Sequence, residues 1–82
     1  MIDKEIVKKI YSTYGKYGVE EKTIMGMMEI GIIFGGLSTE IVVYNICSQL
    51  TEEYIHDNSI DPFRKTAEIL GITADELSAL VI

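Results

Sequence analysis

Apolar residues recur at helical spacing along most of this chain. In the first segment they repeat every three to four positions, which predicts an amphipathic helix. Asp3 precedes this stripe as a capping residue, and Gly15 and Gly18 follow it as the stop signal. The lysines of the segment fall on the opposite side, which is expected to face water. The apolar stripe consists of Ile6, Val7, Ile10, Tyr11 and Tyr14.

Two further helices are predicted in the middle of the chain, separated by Gly35-Gly36. The second helix begins near Glu20, where an acidic side chain suits the positive end of the helix dipole. The third begins at Ser38 or Thr39, both good N-cap residues. Residues 40–47 are also rich in β-branched and aromatic side chains, so a β-strand is the alternative there. The apolar stripe that favours a helix consists of Val43, Ile46, Cys47, Leu50 and Tyr54.

The last third of the chain carries the clearest helix boundaries. Asp61 followed by Pro62 predicts an N-cap with proline in the first turn, and Gly71 predicts the end of that helix. Thr73 and Glu76 then form a capping box, in which each side chain bonds to the other's backbone amide. The whole pattern predicts an all-α fold, a compact bundle of about five short helices, forming a single domain over residues 1–82.

Composition and charge exclude several classes of protein. The chain is 48% hydrophobic, which argues against intrinsic disorder, and its single cysteine excludes an intramolecular disulfide framework. The net charge is −6 and is unevenly spread. Residues 1–22 carry +1, residues 23–60 carry −5 with no Lys or Arg, and residues 61–82 carry −2. Because DNA affinity rests largely on neutralising phosphates, this distribution argues against nucleic-acid binding.

Side chains with catalytic potential are few and poorly placed. Cys47 and His56 are the one thiol–imidazole pair, and their spacing puts them on opposite sides of a common helix. We interpret Cys47 as a core residue and His56 as a solvated helix end. Apolar neighbours predict partial burial of Glu29 and Glu40, which we interpret as a rim residue and a helix-dipole partner. No phosphate-binding glycine motif or metal-spaced cluster appears, so we expect no enzyme activity, cofactor or metal.

The apolar middle of the chain is too short for a membrane span. A span needs roughly 20 consecutive apolar residues. The uncharged run between Glu29 and Glu40 is ten residues long and contains Gly35-Gly36. The start of the chain also lacks the pattern of a secretory signal peptide. We therefore expect a cytoplasmic protein that does not cross a membrane.

Residues 60–77, Ile-Asp-Pro-Phe-Arg-Lys-Thr-Ala-Glu-Ile-Leu-Gly-Ile-Thr-Ala-Asp-Glu-Leu, resemble the last two helices of Cro/C1-type helix-turn-helix domains. The shared features are a short helix ending in Ala-x-x-Leu-Gly and a following Ile-Thr-x-x-Glu-Leu. The resemblance implies a five-helix DNA-binding domain whose third helix enters the major groove. The corresponding residues 36–50 offer Asn45 and Gln49 but no cation. If the fold is related, we expect DNA reading to be lost or replaced by a protein partner.

The surplus of apolar residues in the second and third helices predicts an interaction surface. Large exposed apolar patches usually mark binding sites, and two-fold dimers are the commonest way to cover them. We therefore expect a small non-enzymatic interaction or regulatory module that forms a homodimer and binds an unidentified protein. The alternatives are a Cro/C1-like DNA-binding regulator and a monomer whose third helix is fully wrapped. The predicted interface residues are Met28, Ile32, Phe34, Ile41, Val42, Tyr44, Ile46 and Leu50.

Overall fold

The structure, a computed structural model, describes residues 1–81, and these form an all-α bundle without strands. Five α-helices are joined by short connections, and two of the connections are themselves helical. A 3₁₀ turn follows the first α-helix, and a π-turn continues the second. The elements are α1 (Lys4–Tyr14), the 3₁₀ turn (Gly15–Tyr17), α2 (Glu21–Glu29), the π-turn (Ile30–Phe34), α3 (Thr39–Tyr54), α4 (Pro62–Leu70) and α5 (Ala74–Val81).

Three helices begin at side-chain caps that the sequence predicts. Asp3, Ser38 and Asp61 each have extended backbone and accept a hydrogen bond from an amide two or three residues further on. These bonds satisfy amides that have no partner within their own helix. Because Ser38 caps a continuous helix to Tyr54, the alternative of a strand at residues 40–47 is wrong. Helical periodicity outweighs β-propensity here because the stripe buries a face of the helix.

The boundary between α4 and α5 also follows the sequence prediction. Gly71 has a φ of +70°, the left-handed conformation that ends α4. The Ile72 amide then bonds to the Ala67 carbonyl, which closes the helix end. In the capping box, the Thr73 amide donates to Glu76 Oε1 at 3.0 Å, and the Glu76 amide donates to Thr73 Oγ1 at 3.1 Å. The hydrogen bond from the Thr73 amide to the carboxylate lowers the pKa of Glu76.

Helix α3 is the central element of the bundle. It packs against α2, the π-turn, α4 and α5, while α1 packs against α2 and α4. The apolar stripe of α3 is therefore covered by elements from both ends of the chain. The buried apolar core consists of Val7, Ile10, Tyr14, Val19, Ile24, Met28, Val42, Val43, Ile46, Cys47, Leu50, Ile55, Ala67, Ile69 and Leu77.

A buried tyrosine hydroxyl joins α1 to α3. Tyr14 is fully buried, and its hydroxyl donates to the Cys47 carbonyl at 3.2 Å. It also lies 2.7 Å from Thr51 Oγ1. Burial raises the pKa of Tyr14 to about 12, because the charged phenolate is disfavoured away from water. The bond satisfies a polar group inside the core and fixes how α1 sits on α3.

Candidate interaction surface

An exposed apolar surface lies where α2 gives way to α3, and we call it the apolar tip. It belongs to the π-turn and the loop that follows. Phe34 is the most prominent member, with 82% of its surface exposed. No polar side chain interrupts the sequence between Glu29 and Ser38. The members of the apolar tip are Ile30, Ile33, Phe34 and Leu37.

The π-turn fixes the backbone of the tip. The Gly35 amide donates to the Ile30 carbonyl at 2.8 Å, and the Leu37 amide donates to the Gly31 carbonyl at 3.0 Å. The first bond spans one residue more than an α-helical hydrogen bond, and the second spans two residues more. Gly36 then adopts a φ of +67°, which reverses the chain toward α3 and favours glycine. The tip is thus held in a defined conformation and is not a loose loop.

Close backbone packing inside the π-turn also explains why residue 35 is a glycine. A Cβ on Gly35 would lie 2.8 Å from the Gly31 carbonyl oxygen, which is closer than side chains tolerate. A larger residue at position 35 would therefore disturb the backbone hydrogen bonds of the turn. The consequence is a helix end that turns sharply while its apolar side chains stay outside the core. π-helical turns are rare in proteins overall, and those that do occur are often found at functional sites.

Two carboxylates flank the apolar tip along the chain. Glu29 precedes it and is exposed, whereas partial burial was expected. Glu29 is the last residue of α2, and the residues that this helix buries are Ile24 and Met28. Glu40 follows the tip in the first turn of α3 and is half-buried. Four ion pairs are found among residues 1–81, and none of them includes Glu29 or Glu40.

The structure divides the eight predicted interface residues into three groups. Phe34 lies in the apolar tip. Ile32, Ile41 and Tyr44 are half-buried, and Tyr44 packs edge-on against Phe63 with ring centroids 5.5 Å apart. The remaining four residues point into the core, so their assignment to an interface is corrected to the hydrophobic core. These four residues are Met28, Val42, Ile46 and Leu50.

Three members of the tip were missed by the sequence prediction: Ile30, Ile33 and Leu37. The available signal was helical spacing, since these three residues and Phe34 stand at i, i+3, i+4 and i+7. The run that contains them has no polar residues to form the opposite face of an amphipathic helix. Such a run in a short chain is equally typical of a core helix. Only the position of the π-turn relative to α3 decides which apolar side chains remain outside.

A shallow groove lies between α1 and α4. Its volume is about 310 Å³, and its lining includes Lys9, Ser12 and Glu68. The Lys9 ammonium donates to the Ile69 carbonyl at 3.5 Å, near the negative end of the α4 dipole. Glu68 accepts hydrogen bonds from Lys65. Lys9 thus links α1 to α4, whereas Glu68 is paired within its own helix.

Groups with chemical reactivity are separated in space. Cys47 is fully buried, as predicted, and burial raises the pKa of its thiol. His56 is exposed and lies beyond the end of α3. Within residues 1–81, no three potential ligands come close enough together to hold a metal ion. Over the same residues, no helix has the length and apolar character needed to cross a bilayer.

Comparison with known proteins gives no relative. The chain matches no known protein family, no curated protein sequence and no solved structure. The resemblance of residues 60–77 to Cro/C1-type domains therefore stays a prediction.

Proposed function

We propose that this protein is a small, non-enzymatic interaction module that forms a homodimer and binds another protein. The observation that carries the proposal is the exposed apolar tip on a well-packed bundle. Isolated surface apolar residues are common, but contiguous apolar patches on small domains usually mark binding sites. Aromatic residues in such patches often supply much of the binding energy. Phe34 has that position here.

The energetic incentive for association is substantial. Burying a phenylalanine side chain is worth about 2 to 3 kcal/mol, and Phe34 is 82% exposed. Ile30 and Ile33, at 67% and 55% exposure, add to that incentive. The hydrogen bonds of the π-turn hold the backbone of these residues before a partner arrives. Little conformational entropy is then lost on binding, which favours affinity.

The surface of α3 supports a protein partner over DNA. In Cro/C1-type domains the third helix contacts DNA, and its flanks usually carry cations. The exposed side chains of α3 here include Asn45, Gln49, Glu52 and Glu53. Gln49 donates a hydrogen bond to Glu53 at 3.2 Å, so part of this polar surface is already paired. An acidic third helix repels phosphates, which makes the DNA-binding alternative the weaker one.

Self-association is tested by replacing Phe34 with serine. We expect light scattering of the wild-type chain to give about twice the 9.2 kDa monomer mass at high concentration. The Phe34→Ser variant should remain monomeric in the same dilution series. Leu80→Ser is the matched control, since Leu80 in α5 is 50% exposed but lies outside the tip. A wild-type mass of 9.2 kDa at every concentration would contradict the homodimer.

Binding to another protein is tested by affinity capture from native lysate. Immobilised wild-type chain should retain a protein that Phe34→Ser fails to retain and Leu80→Ser keeps. The recovered material is divided into protein and nucleic acid before identification. Recovery of nucleic acid alone, lost on raising the salt concentration, would instead support the DNA-binding alternative.

A further inference from the structure

The charges of the chain are separated in a way that suits contact between two copies. All five lysines of residues 1–22 precede the cation-free stretch 23–60, which contains the apolar tip. Glu29 and Glu40 flank the tip without an ion pair among residues 1–81. A surface that covers the tip should therefore combine apolar area with positive charge. Helix α1 presents such a surface.

The matching surface consists of Lys4, Lys8 and Tyr11, and we call it the basic face. These residues are spaced at i, i+4 and i+7, so they share one side of α1, and all three are exposed. Tyr11 contributes apolar area, with 42% of its surface exposed. Its ring lies over Gly15, where a Cβ would come within 2.8 Å of the ring. The ring is therefore supported by the backbone at the end of the helix.

We propose that the basic face of each protomer covers the apolar tip of its partner, in a reciprocal two-fold dimer. This inference rests on the proposed homodimer and specifies its contacts. Lys4 and Lys8 approach Glu29 and Glu40 of the second copy, and Tyr11 packs beside Phe34. The lysine ammonium groups also gain from contact with an aromatic ring.

The lysines of the basic face are available for this role. Lys8 contacts Glu5 at 3.7 Å, but the two side chains are 64% and 75% exposed. Ion pairs so exposed are weak and exchange readily. Lys9, by contrast, lies on another side of α1 and bonds to the Ile69 carbonyl of α4. The positive charges of the basic face are thus not engaged in holding α1 against the rest of the bundle.

A dimer that joins tip to tip is the competing arrangement, and both charge repulsion and interface area disfavour it. A two-fold axis through the tips would bring Glu29 and Glu40 of both copies together, and like charges across an interface are costly. The tip also consists of four residues, whereas stable interfaces bury roughly 800 Å² on each partner. Reciprocal docking uses two surfaces on every protomer, so it covers more area with complementary charge.

Charge reversal on each side of the contact tests the arrangement. The first variant carries Glu29→Lys and Glu40→Lys, and the second carries Lys4→Glu and Lys8→Glu. Each variant alone places like charges across both contacts, so we expect its self-association to weaken at least about tenfold. An equal mixture places opposite charges across both contacts of a mixed dimer. Light scattering of the mixture should therefore recover the dimer mass.

A pair of single variants reduces the risk that weaker association reflects unfolding. Glu40 is half-buried at the start of α3, so its reversal also affects a helix end. The single variants Glu29→Lys and Lys4→Glu change exposed residues and should show the same pattern with smaller effects. Circular dichroism melting confirms that each variant is folded before it is mixed.

The outcomes separate this inference from the proposed function. If Lys4→Glu with Lys8→Glu associates as well as the wild-type chain, the basic face is not in the interface and the inference is wrong. The inference is also wrong if the folded variants fail to associate when mixed. In both cases the Phe34→Ser result still decides whether the tip mediates self-association. A wild-type chain that is monomeric throughout overturns the homodimer and this inference together.

Discussion

Gly31 of the π-turn lies against Val42 of α3 so closely that no side chain fits between them. A Cβ on Gly31 would come within 2.6 Å of Val42 Cγ2 and 2.9 Å of Val42 Cγ1. Both methyl groups belong to a buried β-branched side chain that has little freedom to rotate. The glycine therefore sets how closely the π-turn approaches α3, and with it the position of the apolar tip.

Replacing Gly31 with alanine should destabilise the protein despite the higher helix propensity of alanine. Overpacking a core contact typically costs about 1 to 3 kcal/mol in the free energy of unfolding. Gly26→Ala is the matched control, because Gly26 lies within α2 and a Cβ there meets nothing within 4 Å. That control should instead stabilise by about 0.5 to 1 kcal/mol. Urea denaturation of both variants measures the difference, and equal effects would contradict the close approach.

Replacing Tyr14 with phenylalanine should remove the polar link between α1 and α3. The Cys47 carbonyl and the Thr51 hydroxyl would each lose a hydrogen-bond partner inside the bundle. We expect a loss of about 1 to 3 kcal/mol in the free energy of unfolding. Tyr11→Phe is the control, since it removes an exposed hydroxyl from the same helix and should change stability by less than about 0.5 kcal/mol.

The buried hydroxyl also predicts how stability depends on alkaline pH. Burial raises the pKa of Tyr14 from 10.0 to about 12, so the unfolded chain releases this proton at lower pH than the folded chain. The contribution of Tyr14 is therefore fully present below about pH 10 and is lost progressively as pH rises toward 12. Urea denaturation at several pH values in this range should show a shallower decline for Tyr14→Phe. Parallel declines would contradict the prediction.

Replacing Asp61 with alanine should weaken the start of α4. Asp61 Oδ1 accepts a hydrogen bond from the Phe63 amide at 3.0 Å, and Pro62 occupies the first turn. Loss of such a cap costs about 0.5 to 2 kcal/mol. Asp75→Ala is the control, because Asp75 lies in the first turn of α5 and is exposed but does not cap the helix. A thermal melt of Asp61→Ala that overlays that of Asp75→Ala would argue against the cap.

Specific binding to duplex DNA is not expected. Residues 23–60 contain no Lys or Arg, and the net charge is −6. The protein therefore has few groups to replace the counterions around phosphates. Fluorescence anisotropy with labelled duplexes should show no binding at micromolar protein concentration and physiological salt. Submicromolar binding that weakens steeply with added salt would be the contrary result.

The boundaries of the helices were predictable because local chemistry fixes them. Ser38, Asp61 and Thr73 provide oxygen atoms for unpaired amides, and Gly71 accepts a left-handed backbone. Each of these effects acts within a few residues of sequence. These helix boundaries predicted the five-helix, all-α fold. The apolar stripe of α3 in turn predicted that Cys47 is buried.

The exposed surface was harder to predict because it depends on distant packing. Ile46 and Phe34 both belong to apolar runs. Elements that precede and follow α3 in the sequence bury Ile46, whereas Phe34 in the π-turn remains exposed. Hydrophobic spacing identifies a face that avoids water, but it does not identify what covers that face. The π-turn added a further difficulty, since one extra residue in the helix changes the direction of every later side chain.

The buried tyrosine gives the protein a built-in optical probe. The chain has five tyrosines and no tryptophan, and Tyr14 is the one tyrosine that the structure places fully inside the core. A tyrosine ring in fixed, asymmetric surroundings gives a near-ultraviolet circular dichroism signal, and that signal disappears when side-chain packing is lost. The part of that signal that Tyr14→Phe removes therefore reports whether α1 is docked on α3, independently of how much helix the chain contains. No label is needed to distinguish a loosened bundle from an unfolded one.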